Sequence, residues 1–424
     1  MMKHFHLFRL LLSFNLLALS LAFSLLPALS QAQSAQRIEA VRMIQEGDNN
    51  IQLARFNDAI FSYTNAITTD PTYAEAYMKR ASILQRLGRY SEAKQDMEKA
   101  KQMNPYSAYV MDGNSKLNFI SADYAKGLEE VEAALRLDPE NTSFLDHRAD
   151  GYILSGEYEE AMEDIEALLQ RSYHLDLTYL KQGLVYFLAG KMDLADASLE
   201  QALELSPNNA LAYDVRGMIR LHSEDFEEAD LFFDKALEVN PNFSLALYNK
   251  GVVRKMRRED EEALVYFDKA IQKQLAISKT YFERGVVKSN LGKYEGSIDD
   301  YSEVKQMDSI YFDAIYNRAF SYKILGNFPS ALADANEAVE LRPRDGNALA
   351  MRGNIHLLFG DYDKAVEDYD QALQWINDMP EIRFNKGLAL LFDHRLKDGC
   401  AELKRAVDEG YTRGDEAYRN FCAP

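Results

Sequence analysis

Residues 210–243 read ALAYDVRGMIRLHSEDFEEADLFFDKALEVNPNF, and the rest of the mature chain is this unit repeated with variations. Its apolar residues recur at helical spacing and predict two short helices back to back. Small residues Gly217, Ala229 and Ala236 stand where two helices can touch closely, while Tyr213, Phe226 and Phe233 fill the space around that contact. Pro241 stops the second helix. A pair of this size cannot bury its apolar stripe alone, so it must stack on neighbours like itself, and the interval between copies becomes the deciding measurement.

Steps of 34 residues from Ala229 land forward on Ala263, Ser297, Ala331, Ala365 and Gly399, and backward on Ala195, Ala161, Gly127, Ala93 and Ala59. Every one is small. Four residues after each stands Tyr63, Met97, Val131, Ile165, Leu199, Phe233, Phe267, Tyr301, Ala335, Tyr369 or Leu403, nearly all large and apolar. A third column holds Gly47, Ala81, Ser115, Ala149, Gly183, Gly217, Gly251, Gly285, Ala319, Gly353 and Gly387. The period survives eleven copies without an insertion.

At these residues the chain resembles the tetratricopeptide repeats, whose 34-residue helix-turn-helix unit carries this order of Gly, Tyr, Ala, Phe, Ala and Pro. The resemblance runs from about Ala40 to Arg413, with units starting at 40, 74, 108, 142, 176, 210, 244, 278, 312, 346 and 380. It implies an all-α, right-handed solenoid of about eleven repeats with a short lead-in at 33–39 and a capping helix over 414–424. Asn50 and Asn118 replace the aromatic late in the first helix, Gly127 replaces the usual Ala, and Asp260 replaces the aromatic that opens the second helix. These departures point to looser packing in the first, third and seventh units. The expected Pro is absent at Tyr173, Leu275, Ser309 and Asn377.

Residues 1–32 read as a secretory signal: Lys3 and Arg9 precede an apolar core from Leu10 to Leu26, and small residues stand one and three places before cuts after Ser30 or Ala32. An uncut anchor requires a longer uninterrupted span, and nothing later can cross a bilayer. Loss of Lys3 and Arg9 leaves 46 basic against 67 acidic residues, a formal charge of −21. That charge repels nucleic acid and anionic membrane alike. Much of it lies at the start of second helices, as in Glu159-Glu160, Glu227-Glu228 and Glu261-Glu262, where it complements the helix dipole.

In the family that the chain resembles, first helices line a concave inner surface through the second, fifth, ninth and twelfth places of each unit. This register selects the mostly polar Glu75, Met78, Ser82 and Gln85 in the second unit, but Leu177, Leu180, Leu184 and Phe187 in the fifth. Further on it selects Tyr248 and Val252, Phe282 and Val286, Tyr316 and Phe320, then Phe384, Leu388 and Leu391. The groove is therefore expected to turn more apolar from the fifth unit onward and to hold a segment of a protein or peptide partner. The alternative is that several of these side chains are buried between units. A basic island of Lys250, Arg254, Lys255, Arg257 and Arg258 is expected to be neutralised on the surface by the adjacent Glu259, Asp260, Glu261 and Glu262, the rival being an acidic partner or a glycan phosphate. The clamp by which some family members grip carboxylate tails is absent, since Asn249 and Lys279 match two of its places but Asp214, Met218 and Glu283 occupy the others.

Cys400 and Cys422 flank the turn Gly410-Tyr411-Thr412-Arg413-Gly414 with residue 411 at their midpoint, so antiparallel helices bring the sulfurs opposite each other and predict a disulfide in an oxidising compartment. Five His residues of the mature chain, His147, His174, His222, His356 and His394, are scattered singly without zinc-site spacing. There is no Gly-rich phosphate loop and no Gly-x-Ser-x-Gly turn. No catalytic activity, cofactor or metal is expected. The reading is an exported, periplasmic or extracellular binding scaffold; the alternatives are an accessory protein presenting a glycan or peptide to a separate enzyme, and an assembly factor tethered by an uncut signal.

Overall fold

In each 34-residue unit a first helix turns back on itself through one residue at the fifteenth place, and that residue always has a left-handed backbone. Gly88, Gly156, Gly190, Gly292, Gly326 and Gly360 fill six of these turns, and Ala54, Ala122, Glu224, Arg258 and His394 fill the other five with positive φ. Second helices end where the next residue but one is Pro: Asp70, Asn104, Asp138, Ser206, Asn240 and Arg342 are extended at the C-cap, as a residue before Pro must be. Where that Pro is missing the exit differs. Ser172 and Gln274 take left-handed backbone instead, and the second helix of the eighth repeat stops after nine residues, Tyr294–Ser302.

The computed structural model describes residues 34–275, 277–376 and 379–422, and the expected signal lies outside them. Over these residues it is all helical, from a helix at 34–52 to a closing helix at Thr412–Cys422, two residues earlier than the sequence places it. The chain divides into two compact units, Met1–Ser206 and Pro207–Pro424. Each is a stack of helix pairs in sequential order, the first with repeats one to five and the second with repeats six to eleven and the closing helix. Through the second unit, each first helix also touches the first helix of the next repeat.

The core repeats a single contact. Phe233 is fully buried, and a Cβ added to Gly217 would sit 2.4 Å from its ring. Glycine is required there by close approach, as it is at Gly353 against Tyr369. Each cluster is closed by the following repeat: Ala229, Phe233 and Ala236 of the sixth pack on Ala246 and Val253 of the seventh. The third repeat resolves one of the sequence departures. Phe119, one place beyond Asn118, is buried, and a Cβ on Gly127 would lie 2.3 Å from its ring, so the aromatic has moved one place and the glycine makes room for it.

A polar clasp runs beside the core. Arg80, Arg148, Arg284, Arg318 and Arg352 each donate two hydrogen bonds through Nε and Nη2 to the carboxylate 16 residues on, namely Asp96, Asp164, Asp300, Asp334 and Asp368. These bidentate pairs tie first helix to second within one repeat. Elsewhere the same two places hold Gln182 and Ser198 (3.0 Å), Arg216 over the Phe232 ring (4.7 Å) and Lys250 over the Tyr266 ring (5.4 Å). One buried acid lacks such a partner. Asp214 is 1% exposed, accepts one hydrogen bond from Asn249 Nδ2 (2.9 Å), and has no partner for Oδ2 among the described residues. Burial pushes its carboxyl up to about 7, and the Asn249 bond offsets only part of that.

Two outcomes follow. Gly217→Ala is expected to cost about 1–3 kcal/mol by overpacking, and Phe233→Leu in the same chain to recover part of it; urea melts of the four variants measure the coupling. The raised folded-state pKa of Asp214 means that stability is intact below the unfolded value near 4 and is lost as pH rises through about 7. Asp214→Asn is therefore expected to stabilise by about 1–3 kcal/mol at pH 8 and by much less near pH 4, as thermal melts at the two pH values would show.

Candidate functional site

The second and third repeats open a cleft in the first unit. Glu75, Met78, Ser82 and Gln85, the second, fifth, ninth and twelfth places of the second repeat, line it together with Tyr109, Asp112 and Lys116, the second, fifth and ninth places of the third. Arg37, Lys79, Met97, Met103 and Gly113 are among the other residues around this space of about 730 Å³. Gly113 matters because a Cβ there would lie 2.4 Å from Met97 Cε. The polar groups are arranged as pairs. Lys79 Nζ bonds Asp48 (3.0 Å), Lys116 Nζ reaches Asp112 (3.2 Å), and the Asp112 carboxylate also meets His147 Nδ1 at 2.6 Å. Arg37 pairs with Asp70 and lies over the Tyr73 ring at 4.3 Å. Burial and the hydrogen bond to Glu75 push the Tyr73 phenol up to about 12, which keeps it a donor.

The apolar stripe of the later repeats is more closed. Leu180 and Tyr248 are 8% and 9% exposed, so these two belong to the core between helices. Leu184, Phe187, Val252, Phe282, Val286, Tyr316, Phe320, Phe384 and Leu388 are half-buried, and Leu177 is exposed. The rings rest on the core aromatics: Tyr248 on Phe267 at 5.7 Å and Phe282 on Tyr301 at 6.0 Å, while Phe384 meets Tyr411 at 5.0 Å. Tyr316 and Phe320 pack against the cluster of Ala319, Ala331 and Met351. Lys323 lies over the Phe320 ring at 4.9 Å, and burial lowers its pKa.

The basic island is neutralised, but mainly by other repeats. Lys250 is buried at 3% exposure and pairs with Asp230 (3.0 Å) and Asp234 (2.6 Å) of the preceding repeat. Arg254 also reaches Asp230 (2.8 Å), together with Glu259 (3.5 Å) and Glu262 (3.0 Å). Arg257 pairs with Glu227, and Lys255 with Glu283 of the following repeat. The expected neutralisation by neighbours in sequence holds for Arg254, through Glu259 and Glu262, and pairing across the stack adds to it for Lys250, Arg254, Lys255 and Arg257. Arg258 occupies the left-handed turn and is exposed.

At the far end the sulfurs of Cys400 and Cys422 are joined, with Cα atoms 5.5 Å apart. Only Gly414 of the closing helix is buried. No group of three or more His, Cys, Asp or Glu side chains that could hold a metal occurs among the described residues, and no described helix is long and apolar enough to cross a membrane.

The clasp and the cleft were both missed by a reading that followed apolar columns. The Arg and Asp spaced by 16 residues carry the signal for the first; Gly113 and the short Ser82 beside Met78 carry that for the second.

Family models agree with the repeat over part of the chain. Two models described as tetratricopeptide repeat match, one over residues 321–382 and the other over 74–107, 178–209 and 210–243. Among curated proteins, a DnaJ protein P58IPK homolog of Arabidopsis thaliana is 32% identical over 92 residues, 21% of this chain and 19% of its own length. Tetratricopeptide repeat protein 13 of Homo sapiens is 43% identical over 67 residues, 16% of this chain and 8% of its own. The matched segments thus span less than a fifth of these relatives. Among solved structures, a chain of the APC/C hetero-tetramer Cut9-Hcn1 is similar over 95% of this chain and 99% of its own, at 12% identity and a TM-score of 0.40. A tetratricopeptide repeat protein from Parabacteroides merdae is similar over 58% and 96%, at 18% identity and a TM-score of 0.40. The chain is thus a helical repeat protein with tetratricopeptide-repeat matches over residues 74–107, 178–243 and 321–382.

Proposed function

We propose that the chain is a non-catalytic scaffold that holds a segment of a partner protein against its first helices, and that it works outside the cytoplasm in a cell-envelope or extracellular assembly. The observation that carries the binding role is the cleft of the second and third repeats, a ligand-sized space lined by inner-register places of two successive first helices. Export is supported by the composition of residues 1–32 and by the pairing of Cys400 with Cys422, which suits an oxidising compartment.

Affinity capture from envelope extract on the mature chain is expected to retain a protein partner, and Phe282→Ser with Phe320→Ser measures what the later repeats contribute. Half-burial sets the expected stability cost at about 1–2 kcal/mol for each ring. A cost far above that, with capture unchanged, would make both rings core and remove them from the binding surface. N-terminal sequencing of the exported product is expected to begin at Gln31 or Gln33. An intact Met1 in the exported product would sink the cleaved-signal reading in favour of a tethered assembly factor.

A further inference from the structure

We infer that recognition is centred on the cleft of the second and third repeats, and that its occupant is an extended acidic segment of a partner protein carrying one apolar anchor side chain. This rests on the scaffold reading above and goes on to name the partner's chemistry. Charge supplies the first argument. In a chain of formal charge −19, residues 74–107 hold seven Lys and Arg against four Asp and Glu, so the second repeat is a positive segment in a negative molecule. Three cations line the cleft itself, and each is accessible: the side chains of Arg37, Lys79 and Lys116 are 43%, 40% and 36% exposed.

The acids nearby oppose an incoming carboxylate only weakly. Asp112 is 7% exposed and already faces both Lys116 and His147, and Glu75 accepts a hydrogen bond from Tyr73. Lys79 pairs with Asp48, which is also 40% exposed, and a pair this wet is worth little. A partner carboxylate can replace Asp48 there at small cost, whereas the buried Lys250 of the basic island already has two acidic partners.

The anchor follows from what lies between the charges. Met78, Met97 and Met103 line the cleft, and Tyr109 stands at it with 62% of its surface exposed. Thioether side chains adapt to differently shaped apolar groups, and a half-free tyrosine ring gains most by being covered. The stripe of the later repeats offers less, because its rings already rest on Phe267 and Tyr301.

Fluorescence anisotropy on the full mature chain tests this with three end-blocked, fluorescein-labelled peptides of sequence EEFEE, EESEE and KKFKK. EEFEE is expected to bind about tenfold more tightly than either of the others. Raising ionic strength from about 0.1 M to about 1 M, which shortens the screening length from about 10 Å to about 3 Å, is expected to weaken it. Lys79→Glu and Tyr109→Ser, both at exposed side chains and checked for unchanged melting, are each expected to weaken EEFEE about fivefold or more. Lys364→Glu, at an exposed side chain of the tenth repeat outside the inner register, is expected to leave it unchanged. Equal binding of KKFKK, no response to Lys79→Glu, or no binding of EEFEE would overturn the inference. Binding lost in Phe282→Ser with Phe320→Ser but kept in Lys79→Glu would overturn it while leaving the scaffold reading intact. Failure of capture from extract as well would bring down both.

Discussion

The side chain at the twenty-fourth place of each unit lies against the eighth place of the same unit, and the two volumes trade off. Tyr63, Phe233, Phe267, Tyr301 and Tyr369 each oppose a glycine, and a Cβ on that glycine would come within 2.8 Å of the ring. Where the eighth place is Ala or Ser, its counterpart is not aromatic: Met97 stands in the unit of Ala81, Val131 in that of Ser115, Ile165 in that of Ala149 and Ala335 in that of Ala319. A glycine at the eighth place leaves room for a ring or for the side chain of Leu199 or Leu403, while a larger residue there meets a smaller partner.

This explains which parts of the molecule the sequence made legible. Side-chain volume is visible in a sequence, so three small or large columns gave the period, the helix pairs and the buried Tyr63, Phe233 and Phe267. Backbone conformation is visible only where glycine reports it. The turn column escaped notice because Ala54, Ala122, Glu224, Arg258 and His394 interrupt it, although all adopt positive φ. The clasp was obscured in the same manner by Phe232 and Tyr266, which replace the acid with a ring that still attracts the cation above it. The cleft was illegible for another reason. A hydrophobicity ranking of the inner register points to Tyr248 and Phe282, whose size lets them lie over the core rings, while the polar second repeat has short Ser82 and leaves space.

Charges separate along the same lines. Cations facing a neighbouring repeat are consumed by it: Lys250 and Arg254 share Asp230, and Lys255 takes Glu283 across the next interface. Burial of such groups is tolerated because each carries its own counter-charge, and removal of one partner strands the other. Cations of the cleft are themselves more exposed than Lys250 or Arg254, although Arg37 and Lys116 face the buried Asp70 and Asp112 and only Lys79 has a wet partner, Asp48. Position relative to the stack, more than the number of basic residues in a run, decides whether a cation holds repeats together or stays available to a ligand.

A stack also localises its weaknesses, because each repeat leans only on its neighbours. Repeat eight has the shortest second helix, Tyr294–Ser302, yet keeps its Gly285–Tyr301 contact and the Arg284–Asp300 clasp, so the pair is held at its middle while its exit is irregular. The eleventh repeat is followed by the closing helix, whose one buried described residue is Gly414. An 11-residue helix with so little contact is marginal by itself. The bond between Cys400 and Cys422 supplies what packing does not, holding the helix over Leu403 and Ala406, both fully buried, and closing a loop worth on the order of 3 kcal/mol. The closing helix is therefore held to the eleventh repeat by a covalent bond more than by burial of its own side chains.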